Sequence, residues 1–72
     1  MVLNVEFLQT YKFKQKRYPD GLFWIRHYTS EYYLQVNESL DECYEESDDF
    51  VEQLTPQEFL DTVMRHEQAI NQ

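Results

Sequence analysis

Tyr18-Pro19-Asp20-Gly21 makes the chain reverse direction early. Pro presets φ at the second turn position and Gly accepts a positive φ at its end, so a tight hairpin is expected here. Both flanks are strand-like. From Leu3 to Phe13 the odd positions Leu3, Val5, Phe7, Tyr11 and Phe13 are apolar, while Asn4, Glu6, Thr10 and Lys12 between them are polar. That period of two is the signature of a half-buried strand. Leu22 to Thr29 carries Phe23, Trp24, Ile25, Tyr28 and Thr29, all strand formers, and reads as the return strand. Thr29-Ser30-Glu31 suggests a second turn and Tyr32 to Val36 a third strand. The first half therefore predicts a three-stranded antiparallel β-meander, enough for stability if one face is covered.

Beyond Asn37 the signals become helical. Ser39-x-x-Glu42 has the form of a capping box ahead of Leu40, Cys43 and Tyr44, and Ser47-Asp48-Asp49 offers another N-cap before Phe50, Val51 and Leu54. Both predict short acidic helices. The last signal is the strongest: Thr55 as N-cap, Pro56 where its missing N–H costs nothing, and Glu58 closing a capping box. Phe59, Leu60, Val63, Met64 and Ile70 then form one apolar stripe, with Asp61 and Arg65 as an i,i+4 pair on the other side. A helix from Pro56 to about Ile70, packed on the sheet, completes an α+β fold.

Seventy-two residues allow one small domain, residues 1–72. Its halves differ sharply. Residues 1–37 hold Lys12, Lys14, Lys16, Arg17 and Arg26 against three acids, with nine of the twelve aromatic residues; residues 38–72 hold eleven acids against Arg65. The net charge of -8 argues against a simple DNA-coating protein or a membrane-surface binder. No apolar run approaches a membrane span and the first residues lack the pattern of a signal peptide, which makes the cytoplasm the expected compartment.

Neither a cofactor nor a metal is expected. The single Gly leaves no phosphate-cradling loop, the acids do not follow EF-hand spacing, and His27 and His66 have no ligand neighbours in sequence. Cys43 is alone among carboxylates, which make its thiolate scarce, so a catalytic role is not expected and the chain is read as a non-enzyme. Two binding functions remain. Glu38–Glu52 carries eight acids in fifteen residues and no base. Asp41, Glu42, Glu45, Glu46, Asp48, Asp49 and Glu52 could present a field resembling a row of phosphates. The leading expectation is a small protein-binding module, a stoichiometric inhibitor or adaptor, and in its sharper form an acidic decoy of nucleic acid for a basic partner. The alternative is a single-stranded nucleic-acid binder using Lys12, Lys14, Lys16, Arg17 and Arg26 with Trp24 and neighbouring tyrosines. An exposed outer strand would also allow pairing with a second copy as a homodimer.

Overall fold

The computed structural model describes residues 2–71. The architecture is α+β: a five-stranded antiparallel sheet with both helices on one face. The elements are α1 (Val5–Thr10), β1 (Lys14–Tyr18), β2 (Gly21–Thr29), β3 (Tyr32–Asn37), β4 (Cys43–Ser47), β5 (Val51–Leu54) and α2 (Pro56–Ile70). Strand order in space is the order in sequence.

The hairpin expected at Tyr18–Gly21 forms. Tyr18 pairs with Gly21 around Pro19-Asp20, and Gly21 has φ +148°, a region nearly closed to residues with a Cβ. The next turn closes at Ser30-Glu31, where the Thr29 hydroxyl accepts from the Glu31 amide. A bulge between His27 and Thr29 makes Tyr28 an extra residue on β2.

The strand expected over Leu3–Phe13 is instead a six-residue helix and a turn. Asn4 caps it, its side chain accepting from the Phe7 amide at 2.8 Å, and Glu6 lies in the positive first turn. The helix ends in a Schellman motif: the Lys12 amide bonds to Gln9 O, the Phe13 amide to Leu8 O, and Lys12 has φ +64°. Phe7, Leu8 and Tyr11 have helical spacing, and Phe7 and Leu8 are both buried. Adjacent buried residues suit one face of a helix and not one face of a strand. Lys12 is consequently at the turn, outside the first strand.

The short acidic helices are also replaced, here by strands. At Ser39–Glu42 the Asn37 side-chain oxygen accepts from the amides of Asp41 and Glu42, and Leu40 has φ +63°. Those two amides lie in what would be the first helical turn, so the side chain diverts the backbone into a turn instead. Cys43 can then pair with Val36, which extends the meander. Ser47-Asp48-Asp49-Phe50 is a hairpin turn in which the Ser47 hydroxyl accepts from the Asp49 amide and the Ser47 amide bonds to Phe50 O.

The C-terminal helix starts where expected. The Glu58 amide bonds to Thr55 Oγ1 at 3.1 Å, and Glu58 Oε1 accepts from the Thr55 amide at 2.9 Å. Its covered stripe runs through Phe59, Leu60, Val63 and Glu67 and excludes Ile70, which is 56% exposed. Asp61 and Arg65 do not pair: Asp61 accepts from Gln57 and Arg65 donates to Thr62. The core lies between the helices and the inward positions Trp24, Leu34, Val36, Cys43 and Leu54. Phe13 and Phe59, with ring centroids 5.6 Å apart, join the chain entering the sheet to α2.

Candidate functional site

The sheet separates the charged residues into two edges. Lys14, Lys16 and Arg17 lie on β1, and Lys12 lies in the turn before it, separated from it by Phe13. Asp41 and Glu42 flank one end of β4, Asp48 and Asp49 the other, and Glu52 lies on β5. Glu45 and Glu52 are cross-strand partners. With Glu58, Asp61 and Arg65 they line a hollow of about 300 Å³ between β4, β5 and α2. The seven expected acids therefore form a rim around the β4–β5 edge instead of one flat face. Three of them are internally engaged: Asp41 accepts from Asn37 Nδ2 at 2.8 Å, Glu45 accepts from the Tyr32 hydroxyl, and Glu46 accepts from the Tyr33 hydroxyl and from Gln35 Nε2. Burial raises the pKa of the Glu46 carboxyl.

The expected nucleic-acid set divides between the two faces. Trp24 is 6% exposed and belongs to the core, so it offers no stacking surface. Arg26 also points under the helices. Its guanidinium pairs with Glu67 at 3.2 Å, donates to Tyr11 O and lies over the Tyr28 ring, while its Nε is buried without a partner among the described residues. Trp24 cannot meet a base from solvent, and Arg26, although it borders the edge of the sheet beside β1, has its charge engaged by Glu67. Arg17 alternates with Lys16 and so points away from the lysine face of β1.

Arg26 instead nucleates a polar layer beneath the second half of α2. The Tyr28 hydroxyl donates to Glu67 Oε2 at 2.8 Å, and the Tyr28 ring stacks on His66 at 4.6 Å. His66 Nε2 is 3.1 Å from the Tyr32 hydroxyl, whose own proton goes to Glu45; the imidazole is thus the donor. Burial, then the bond to Glu67, pushes the Tyr28 phenol well above its ordinary pKa, and burial followed by the bond to Glu45 does the same to Tyr32. Both remain donors across the biological pH range. Burial, followed by the charge of Arg65, lowers the pKa of His66. This layer fastens β2, β3 and β4 to α2, and its Arg26 bond reaches the end of α1.

The other face of the sheet carries no helix. Strand alternation places Lys14, Lys16 and Tyr18 on it from β1, Phe23, Ile25 and His27 from β2, Tyr33 and Gln35 from β3, and Tyr44 and Glu46 from β4. Two hollows adjoin there. One of about 460 Å³, at the β1 edge, is lined by the open-face residues Lys14, Lys16, Ile25 and His27 together with Lys12 and the inward-registered Gln15 and Arg26, with no acid among them. The other, about 280 Å³, is lined by Tyr18, Phe23 and Tyr33 with Gln35, Asp20 and Glu46. Ile25 is 6% exposed although no helix covers it. Its strand partners Lys14 and Gln35 flank it, as expected where long aliphatic stems shield an apolar floor. Ring contacts order the surface: Tyr18 meets Phe23 edge-on at 5.4 Å, and His27 lies 4.9 Å from Tyr33. Phe23 and His27 lie outside the expected set. Their alternation relative to Trp24 and Arg26 carries the signal, because the helices cover the Trp24 face.

Cys43 is fully buried, and burial with the nearby Asp41 charge pushes its thiol to about 11, leaving no reactive thiolate at neutral pH. Among the described residues no three His, Cys, Asp or Glu side chains gather as metal ligands would, and no helix is long and apolar enough to cross a membrane. No family model, curated protein or solved structure matches the chain.

Proposed function

We propose that this protein is a small acidic protein-binding module, a stoichiometric inhibitor or adaptor, whose β4–β5 rim docks on a basic surface of its partner. In its sharper form it is a decoy for nucleic acid. The observation supporting this reading is the spatial segregation of charge: β5 and β1 are opposite edges of the sheet, four strand spacings or about 19 Å apart. The lysines of β1 thus lie beyond a Debye length of about 8–10 Å and do little to neutralise the rim. Such a field speeds encounter with a basic groove and disfavours acidic partners.

Glu42→Gln, Asp48→Asn, Asp49→Asn and Glu52→Gln combined test the reading without disturbing Glu45 or Glu46, which hold tyrosine hydroxyls. Immobilised wild-type protein should retain a basic nucleic-acid-binding protein from nuclease-treated lysate, release it at high salt, and release it to added duplex. The folded variant should lose that retention. Equal retention by variant and wild type would overturn the reading.

A further inference from the structure

We infer that the open face of the sheet, at its β1 end, binds single-stranded nucleic acid, with Lys12, Lys14 and Lys16 meeting phosphates and Phe23 and Tyr33 stacking bases. This goes beyond the acidic rim and does not depend on it. The first support is the acid-free hollow beside β1, with lysines around an apolar floor of Ile25. Lys14 and Lys16 are two residues apart on one strand face, so their stems rise side by side about 7 Å apart. The second support is the adjoining hollow, where Tyr18, Phe23 and Tyr33 supply ring surface half-open to solvent. Cationic groups along one side and ring faces along the other suit a single strand, whose bases are free to turn away from the backbone.

The negative net charge does not preclude this. Lys14 and Lys16 lie on β1, and the nearest strand bearing rim acids is β4, three strand spacings or about 14 Å away. Asp20 and Glu46 border the ring side, and Glu46 already accepts hydrogen bonds from Tyr33 and Gln35. Phosphates are thereby directed to the lysine side and bases to the ring side. An acidic peptide or another polyanion would use the lysines but gain little from the rings, which gives the test its second arm.

Fluorescence anisotropy should be measured with a labelled twelve-nucleotide oligo(dT) and oligo(U), with the matching duplex, and with inorganic polyphosphate as a polyanion without bases. The expected result is single-strand binding at about 50 mM salt, with affinity falling as roughly the second power of salt concentration, the slope of about three phosphate contacts. Lys14→Glu with Lys16→Glu should weaken it by more than about tenfold, since two contacts are lost and reversed. Tyr33→Ala should weaken the oligonucleotide by about tenfold and leave polyphosphate unchanged. Should Tyr33→Ala disturb the fold, amide shift mapping of the wild type with oligo(dT) gives the same answer, with perturbations on β1–β3 open-face residues. No single-strand binding at 50 mM salt, binding insensitive to the lysine reversal, equal loss for polyphosphate on Tyr33→Ala, or shifts confined to α2 and the rim would each overturn the assignment.

Discussion

On β2, Trp24, Arg26 and Tyr28 point under the helices, whereas Phe23, Ile25 and His27 point to the open side. The inward group is committed: Trp24 is packed, Arg26 is paired with Glu67, and Tyr28 donates to the same carboxylate. The outward rings touch only one another and their strand neighbours. Alternate residues of one strand thus meet opposite demands. Inward polarity must be satisfied internally, because an unpaired buried charge is expensive, while outward groups can exchange water for a ligand. Substitutions on the covered face should change stability, and substitutions on the open face should change binding.

The largest expected effect is on the covered face. Phe59 is fully buried against Phe13, and Phe59→Ala should cost about 3–5 kcal/mol, comparable with the roughly 4–10 kcal/mol total for a chain of this length. Urea denaturation followed by circular dichroism reads this directly, and an unchanged midpoint would mean that α2 does not cover the sheet. Glu67→Ala should follow at about 3 kcal/mol, because it strands Arg26 where little water reaches it. Glu67→Gln should cost less, since the amide oxygen still accepts from Tyr28; equal losses would show that charge pairing with Arg26 dominates.

Thr55→Ala removes the cap of α2 and should cost about 1 kcal/mol. Smaller still is the response to pH. His66 faces Tyr28 and Tyr32, with Arg65, Glu45 and Glu67 nearby, and its folded pKa lies below the ordinary 6.5. The folded state therefore binds this proton less readily than the unfolded chain, so the contribution of His66 is complete above 6.5 and falls as pH drops below it. Glu46 on the open face acts oppositely: its raised pKa adds stability as pH falls toward 4.5. Thermal melts between pH 7.5 and 5.5 should show a decline that His66→Gln flattens; a decline unaffected by that change would place its origin elsewhere. Last, Lys14→Glu with Lys16→Glu should move stability by no more than about 0.5 kcal/mol, as both side chains are exposed. A larger shift in the melting midpoint would mean that the lysine stems hold Ile25 in place.

The elements legible in the sequence were those defined by local chemistry. Pro19 and Gly21 mark their hairpin, and Thr55, Pro56 and Glu58 mark the helix start, because each acts within four residues. Local chemistry misleads where one signal competes with another. Asn4 and the adjacent buried pair Phe7 and Leu8 specify a helix within a stretch that also alternates. Asn37 decides the fate of Ser39–Glu42 from outside that motif, through two backbone hydrogen bonds. The separation of basic and acidic regions was visible in sequence, but the face occupied by Trp24 and Arg26 was not. It depends on which side the helices cover, and Glu67, far along the chain in α2, fixes that side for Arg26 through their ion pair.

Strand order that follows chain order has a kinetic consequence. Every strand pairs with its sequence neighbour across a short turn, so the sheet can zip from hairpin to hairpin with little loop-closure entropy at each step. The contacts that close the longest loops are those of α2 with early residues: Phe59 with Phe13, and Glu67 with Arg26. Docking of α2 should therefore be the late event, and Glu67→Ala should accelerate unfolding in stopped-flow mixing while leaving the refolding rate nearly unchanged.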